Sequence, residues 1–263
     1  MPKSPPAQSA LRLLADGKTE RELLTSAIHD VESDGPLRIL EAGCGQRWPL
    51  VLEGRQLHIT GVDTDAAAMR IRRERHGDLD VEMVADLRDV QLPEAGFDVV
   101  YCSFLLEHVA GARDVLDRFR AAVRPGGRIV IRVPDGDSVY GLLVKHSPHR
   151  LHVLYKRFAE ANPKAGTPGH APYPTIYDDV VSLRGLRAYA ADNGLDIVAE
   201  YGTFFLPRRL RRARPLIRAM FWLVATLAPG HRAVDHRDLG MVFEVPAKIP
   251  NGGKPVSNRP VIA

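Results

Sequence analysis

Short apolar runs alternate with stretches of helical periodicity through the first half of the chain. The apolar runs are Leu37–Leu40, Leu57–Val62, Val81–Val84, Phe97–Cys102 and Arg128–Val133. The stretches with apolar residues at helical spacing between them are Trp48–Leu52, Ala66–Arg75 and Ala112–Val123. Strands that alternate with helices at this spacing predict a doubly wound, mostly parallel sheet with helices on both faces.

The same kind of pattern continues on both sides of this region. Residues 10–33 place leucine, alanine and isoleucine at helical spacing and predict one or two helices before the first strand. A further helix is expected at Ser182–Asn193, because Gly194 stands where a helix C-cap glycine belongs. The last two strands are expected near Leu195–Tyr201 and Leu239–Val245.

Two segments interrupt the alternation and divide the expected domain into parts. We expect a single domain over residues 1–246, followed by a linker-like tail over residues 247–263. The parts of the domain are an N-terminal helical segment at 1–36, a ligand-binding half at 37–134, an insertion rich in His, Pro and Gly at 135–180, and a basic and apolar helical insertion at 206–237. The first insertion follows the fifth strand and is expected to face the ligand edge of the sheet.

The composition is that of a globular protein, and its low cysteine content favours a reducing compartment. The chain has 263 residues, of which 45% are hydrophobic and 26% are charged. Its two cysteines, Cys44 and Cys102, cannot form a disulfide framework and favour a reducing compartment. The sequence contains neither an apolar run of 18 residues nor an apolar stretch typical of a signal peptide. We therefore expect a cytoplasmic protein, with peripheral contact to the inner membrane face as a further expectation.

Positive charge is concentrated in one segment, which is the basis for that membrane expectation. Residues 206–232 hold seven arginines and no acid, whereas the whole chain has a net charge of only +4. The rest of the chain is net negative, so no nucleic-acid partner is expected. A helix starting near Pro215 would carry on one face Leu216, Met220, Leu223, Val224 and Leu227. Such a basic and apolar helix is typical of contact with an anionic membrane surface, and core packing or a homodimer interface are the alternatives.

Three predicted strand ends carry residues suited to binding a nucleoside. Gly43 and Gly45 follow the first strand, where glycines let the backbone turn sharply and approach a ligand. Asp63 ends the second strand, and a carboxylate there can accept hydrogen bonds from both ribose hydroxyls. After the third strand, Asp86 could accept a hydrogen bond from an adenine amino group, and the N–H of Leu87 could donate to the adenine ring.

Six motifs in register resemble a known family. They are Glu41-x-Gly43-x-Gly45, Asp63, Ala85-Asp86-Leu87, Phe97-Asp98-Val99-Val100, Glu107-His108-Val109 and Arg124-Pro125-Gly126-Gly127. Together they look like class I S-adenosylmethionine (SAM)-dependent methyltransferases of the small-molecule type. The resemblance implies a Rossmann-like, seven-stranded sheet with an antiparallel last strand, and SAM as the cofactor.

The resemblance also implies which residues contact SAM. They are Glu41, Gly43, Gly45, Asp63, Asp86, Leu87, Ser103 and Phe104. In this interpretation Glu41 faces the SAM amino group, and Ser103 and Phe104 border the sulfonium. A dinucleotide site is disfavoured, because Trp48 stands where the third glycine of Gly-x-Gly-x-x-Gly would allow close packing.

Candidate residues for the acceptor side lie after the fourth and fifth strands. A hydroxyl acceptor needs a base, and the candidate bases are His108, His170 and Asp135. Candidate substrate contacts are Tyr173, Tyr177 and His146. The segment Tyr173-Pro174-Thr175-Ile176-Tyr177 resembles one in methyltransferases found with glycan-assembly enzymes, and a packing strap over the sheet is its alternative interpretation. No metal site is predicted.

These observations lead to one functional hypothesis with two alternatives. We expect a SAM-dependent methyltransferase that O-methylates a hydroxyl of a sugar, glycolipid or lipid-like acceptor near the cytoplasmic membrane face. The first alternative is a soluble methyltransferase of a small metabolite, such as a polyketide or a quinone. The second is a non-catalytic SAM-binding scaffold, against which the acids Glu41, Asp63 and Asp86 argue.

Overall fold

The computed structural model describes residues 11–228 and 232–247. Its strands are β1 (Arg12–Leu14), β2 (Leu37–Ala42), β3 (Leu57–Asp63), β4 (Val81–Val84), β5 (Phe97–Ser103), β6 (Val123–Pro134), β7 (Asp196–Thr203) and β8 (Asp238–Glu244). Its helices are α1 (Gly17–His29), α2 (Ala66–Arg75), α3 (Ala112–Ala122), α4 (Val139–His146), α5 (His149–Ala159), α6 (Leu183–Asn193) and α7 (Arg214–Leu227). Two 3-10 helices cover Leu106–His108 and Arg208–Ala213.

The strands form one sheet in the order β1-β7-β8-β6-β5-β2-β3-β4. Strands β2 to β6 pair in parallel, and β8 runs antiparallel to both of its neighbours, β6 and β7. The Rossmann-like prediction with an antiparallel last strand is therefore confirmed. Chain order reverses between the adjacent strands β2 and β5, which is the position where doubly wound sheets bind ligands.

The predicted number of strands was wrong by one, since the sheet has eight strands and not seven. The additional strand is β1, which pairs in parallel with Tyr201–Thr203 of β7. Residues 10–33 were predicted as helix, but within them only α1 is helical. Asp16 caps α1 by accepting hydrogen bonds from the N–H groups of Lys18 and Thr19. The helical spacing of leucines before this cap was a local pattern, and pairing with β7 overrode it.

The helix predicted at Trp48–Leu52 is also absent, because these residues follow an irregular path. Pro49 disfavours helical backbone at the residue before it, and five residues are too few to stabilise a helix by themselves. Leu50 and Leu52 are nevertheless buried, so the apolar pattern correctly indicated which side chains face the core. Two helices that the sequence pattern did not predict, α4 and α5, occupy much of the insertion at 135–180.

The two faces of the sheet bury separate apolar clusters. Successive residues of a strand point to opposite faces, so Leu40 packs with α3 and α6 on one face while Ile39 packs with α1 on the other. A third, smaller cluster joins Phe204 and Val139 to Phe221 of α7. Across the two described ranges, no helix combines the length and the apolar character that crossing a bilayer requires.

Candidate functional site

The glycine loop after β2 lies at the reversal point and leaves room for a ligand. Gly43 and Gly45 have φ angles of +69° and +53°, which side chains rarely adopt. A Cβ atom on Gly43 would lie 3.0 Å from the side chain of Leu105, so the loop approaches the segment after β5 closely. A Cβ atom on Gly45 would meet no atom within 4 Å, so the space in front of this glycine is open.

Asp63 is held in place at the end of β3 by backbone donors. Its Oδ2 accepts a hydrogen bond from the N–H of Gly45 and its Oδ1 accepts one from the N–H of Asp65, both at 2.8 Å. Burial raises the pKa of Asp63, and these two N–H groups oppose the shift. The carboxylate and the glycine loop are therefore oriented as one unit, although they are 18 residues apart in sequence.

Arg72 of α2 supports the glycine loop and was missed by the sequence analysis. Its side chain is fully buried. It donates two hydrogen bonds to the carboxylate of Asp78 and a third, of 2.8 Å, to the carbonyl of Cys44. Its Nη1 also lies 2.7 Å from Glu41 Oε2. No sequence signal distinguishes Arg72, because the same helix carries three other arginines.

Glu41 is buried beneath the loop with one oxygen that accepts no aligned hydrogen bond. Its Oε2 is close to Arg72, yet the angle does not make a hydrogen bond within the described part of the chain. Burial raises the pKa of Glu41 to about 8, and the attraction of Arg72 is insufficient to cancel it. The negative charges of Asp78 and Asp63 act in the same direction as burial.

Asp86 follows β4, where its carboxylate is bound by a neighbour. The Arg88 side chain and N–H donate to it, and they hold the pKa of Asp86 below its usual range. Leu87 is buried in the core next to it. An incoming amino group would therefore compete with Arg88, which is exposed and able to turn away.

Ser103 and Phe104 border the reversal point from the β5 side. Phe104 has a φ of +54°, which is uncommon outside glycine, and its ring is stacked below the guanidinium of Arg132 at 4.9 Å. The Ser103 hydroxyl accepts a hydrogen bond from Arg132, which also donates two to the buried Glu20 of α1. Both residues follow Cys102, whose register partner Ala42 directly precedes the glycine loop.

The segment at 168–177, named here the strap, crosses the ligand edge of the sheet. At one end Gly169 donates its N–H to Asp65, and the Tyr173 hydroxyl donates to the same carboxylate at 2.7 Å. At the other end the N–H groups of Ile176 and Tyr177 donate to the carbonyl of Glu107. The strap therefore connects the start of α2 to the segment after β5.

His108 is the candidate base that contacts the strap. Its Nδ1 lies 2.7 Å from the carbonyl oxygen of Pro174, and its ring packs edge-on against Tyr173. Burial lowers the pKa of His108, so the ring is neutral near pH 7. Its other nitrogen, Nε2, lies 3.7 Å from Glu107 Oε1.

Each of the other candidate residues has different surroundings. Asp135 is buried, and its Oδ2 lies 2.7 Å from Nε2 of His236 while its Oδ1 accepts two backbone hydrogen bonds. His170 lies on the strap beside the carbonyl of Pro168. His146 is exposed at the end of α4. Among the described residues, no three His, Cys, Asp or Glu side chains group closely enough to hold a metal ion.

Comparisons with known proteins agree with this geometry. A family model described as a methyltransferase domain matches residues 10–200. An uncharacterized methyltransferase of Mycobacterium tuberculosis is 32% identical over 95 residues, which are 35% of this chain and 48% of that protein. The ubiquinone biosynthesis O-methyltransferase of Aeromonas salmonicida is 35% identical over 102 residues, which are 36% of this chain and 42% of that protein.

Solved structures extend the likeness to the whole fold. The S-adenosylmethionine-dependent methyltransferase of Mesorhizobium loti aligns with a TM-score of 0.51 at 18% identity, over 87% of this chain and 98% of that one. The curated relatives are matched over about half of their length or less. The family match, by contrast, covers most of this chain and includes the glycine loop, Asp63 and the segment after β5. The resemblance found in the sequence is therefore confirmed, and the chain belongs to the methyltransferase-domain family.

Proposed function

We propose that this protein is a SAM-dependent methyltransferase that transfers the methyl group to a hydroxyl of a sugar, glycolipid or lipid-like acceptor. The observation that carries the proposal is the joint placement of the open Gly45 and the oriented Asp63 at the reversal point of the sheet. Membership in the methyltransferase-domain family agrees with it.

The residues at the reversal point fit SAM. Asp63 offers its carboxylate to the ribose hydroxyls, and the open space at Gly45 accommodates the methionine moiety. Glu41 Oε2 is buried 2.7 Å from Arg72 Nη1 without an aligned hydrogen bond, and it is an acceptor suited to the amino group. Asp86 and Leu87 hold the adenine once Arg88 turns away, and Ser103 and Phe104 border the sulfonium.

SAM supplies a methyl group that is already activated for displacement, so positioning and proton removal remain for the protein. The strap covers the ligand edge of the sheet with Tyr173 and Tyr177. Their hydroxyls suit a substrate that forms hydrogen bonds. Among the candidate bases, His108 lies against this strap, whereas Asp135 is bound to His236. The acceptor hydroxyl therefore binds beneath the strap, on the side of His108.

The surface of α7 supports a membrane-associated acceptor. Leu216, Met220, Leu223 and Leu227 are exposed along one face of the helix, with Leu216 and Leu227 at 73% and 77%. The opposite face packs through Phe221 against Phe204. Cationic side chains precede and flank the apolar face, namely Arg208, Arg209, Arg211, Arg212, Arg214 and Arg218.

An exposed apolar stripe beside arginines suits the headgroup region of an anionic bilayer. The neighbouring helix α5 adds exposed Leu154 and Phe158, and Arg209 donates to the carbonyl of Phe158. Exposed apolar side chains of α5 therefore lie beside the basic 3-10 helix that leads into α7, and we name α7, this 3-10 helix and the exposed side chains of α5 together the basic apolar surface. We propose that this surface rests on the membrane that holds the acceptor.

The second candidate is a methyltransferase of a soluble small metabolite. Its support is the likeness to the ubiquinone biosynthesis O-methyltransferase over the SAM-binding half. In that case the apolar face of α7 would be covered by a second copy of the chain. A non-catalytic scaffold is less well supported, since the acids Glu41, Asp63 and Asp86 are all present at the site.

The test uses SAM labelled in its methyl group, the purified protein and an extract of source cells. Label in the organic fraction is the expected result, and label confined to the aqueous fraction would favour the soluble metabolite. The variant Asp63→Ala is expected to weaken binding of S-adenosylhomocysteine (SAH) by about tenfold to a hundredfold, since it removes hydrogen bonds to a charged group. Asp192→Ala, at a remote surface pair with Arg113, is the matched control. Unchanged SAH affinity and transfer in Asp63→Ala would contradict the proposal.

A further inference from the structure

Several buried polar atoms without a hydrogen-bond partner lie on the acceptor side, within the part of the chain that the structure describes. They are Glu107 Oε2, His149 Nδ1, the Tyr177 hydroxyl and Arg237 Nε. Buried polar groups are normally paired, because an unpaired one loses its hydration without compensation. Glu107 and Tyr177 are only 2% and 5% exposed, so bulk solvent does not compensate them.

The unpaired atoms of Glu107, Tyr177 and Arg237 belong to one polar enclosure, which we define as Glu107, Tyr140, Tyr155, Tyr177, Arg237 and Asp238. Tyr177 interacts electrostatically with Glu107, Tyr140, Asp238 and Arg237. The Arg237 guanidinium lies 3.9 Å from the centre of the Tyr140 ring. The strap supplies Tyr177, and the segment after β5 supplies Glu107, so the enclosure lies directly beneath the strap.

The contacts of His108 indicate whether His108 or Glu107 is available to a ligand. A carbonyl oxygen can only accept, so the contact with Pro174 places the ring proton on Nδ1. Nε2, which then carries the lone pair, lies 3.7 Å from Glu107 Oε1, and this distance is too long for a hydrogen bond. Glu107 Oε2 is the oxygen of this pair that has no partner among the described residues.

The charged and titratable groups around Glu107 set its protonation. The pKa of Glu107 is raised to about 8, mainly by burial and also by Asp238 of β8, whereas Lys156 of α5 acts to lower it. His108 on the same segment is neutral, and Tyr177 from the strap and Cys102 from β5 are also neutral because burial raises their pKa values. A base with a pKa close to the working pH is well matched to removing a hydroxyl proton.

We propose that the acceptor binds in the polar enclosure through the hydroxyl that becomes methylated, and that Glu107 Oε2 takes its proton. The hydroxyl oxygen forms a bond to the methyl carbon, and the carbon–sulfur bond breaks with its electron pair going to sulfur. The proton passes to Glu107, which becomes a neutral carboxylic acid. His108 is a positioning residue, because its Nδ1–H donates to the carbonyl of Pro174 and keeps the strap in place over Glu107. This inference rests on the proposed function.

The test compares the variants Glu107→Gln and His108→Gln with the wild type, using methyl-labelled SAM and a total lipid extract of source cells. Glutamine keeps the shape of the side chain but cannot take a proton. Glu107→Gln is expected to keep its affinity for SAH and to lose about a hundredfold in transfer rate. The wild-type rate is expected to rise with pH through about 8, and Glu107→Gln is expected to lose this rise. His108→Gln should keep the rise at a lower rate.

A third variant tests the enclosure as the binding site. Tyr177→Phe removes one unpaired hydroxyl, so the half-saturating amount of extract should increase while the maximal rate changes little. Tyr189→Phe removes a hydroxyl that donates to Asp117, remote from the strap, and should change neither quantity. Thermal unfolding of each variant separates loss of folding from loss of function.

The outcomes separate this inference from the proposed function. A wild-type protein that does not bind SAH overturns both. Binding of SAH with transfer only to amines or proteins overturns the hydroxyl acceptor and Glu107 as its base. The assignment also fails if Glu107→Gln transfers within threefold of the wild type, or if His108→Gln alone abolishes the pH rise.

Discussion

Arg72 connects four parts of the cofactor site through one buried guanidinium. It contacts Asp78, the carbonyl of Cys44 and Glu41, and it is itself part of α2. A buried charge of this kind is tolerated because its donors are paired. The glycine loop therefore owes its position to a residue whose importance appears only when the chain is folded.

Replacing Arg72 tests this role. Arg72→Met keeps a long side chain but leaves Glu41 buried without a cation, so the free energy of unfolding should fall by about 3–5 kcal/mol. Urea unfolding measures the change. Arg70→Met, on the exposed side of the same helix, should change it by less than about 0.5 kcal/mol. A loss below about 1 kcal/mol in Arg72→Met would show that the loop does not depend on this guanidinium.

The strap is the element that encloses the acceptor side, and polar contacts to the start of α2 and to the glycine loop hold its first half. Gly169 and Tyr173 both bind the carboxylate of Asp65, and Gln46 donates to the carbonyl of Gly169. A Cβ atom on Gly169 would lie 3.0 Å from Ile71 and 3.2 Å from the backbone of α2, so only glycine allows this close approach. Access to the reversal point therefore depends on these contacts between the strap and the cofactor side of the sheet.

Removing one of these contacts should loosen the strap. Tyr173→Phe deletes the hydrogen bond to Asp65, and we expect about tenfold faster amide hydrogen exchange at Gly169, corresponding to about 1.4 kcal/mol of local stability. Exchange measured by mass spectrometry on peptides covering the strap provides the readout. Tyr189→Phe serves as the control, since its hydroxyl bonds to Asp117 away from the strap. Equal exchange in both variants would mean that Tyr173 does not hold the strap.

At the level of the whole molecule, positive charge and exposed apolar surface occur together in the insertion at residues 206–237. The whole chain is close to balanced at +4, whereas residues 206–228 hold six arginines and no acid. The same residues carry the exposed apolar stripe of α7. Exposed apolar surface of this extent is typical of an interaction site, and the arginines favour an anionic partner.

Vesicle flotation tests the membrane proposal. The wild type should float with vesicles containing anionic phosphatidylglycerol and float less with neutral phosphatidylcholine vesicles. Raising the salt to about 0.5 M should weaken binding without abolishing it, because salt screens the arginines but not the apolar stripe. The triple variant Leu216→Ser, Leu223→Ser, Leu227→Ser should lose flotation.

The matched control replaces three exposed valines elsewhere by serine, namely Val51, Val84 and Val198. It should float like the wild type. Absence of flotation in the wild type, together with a concentration-dependent dimer that the leucine variant disrupts, would assign α7 to a homodimer interface.

The sequence alone determined the alternation of strands and helices, the family and the positions of Asp63 and the glycine loop, because these depend on short-range periodicity and local motifs. It also located α7 from Pro215 and the cap at Gly194, which are local backbone effects. Tertiary structure decided what depends on distant partners: the strand β1, the burial of Arg72 against Glu41, and the strap over Glu107. These features arise from pairing and burial between segments far apart in the chain, for which one sequence contains no periodic signal.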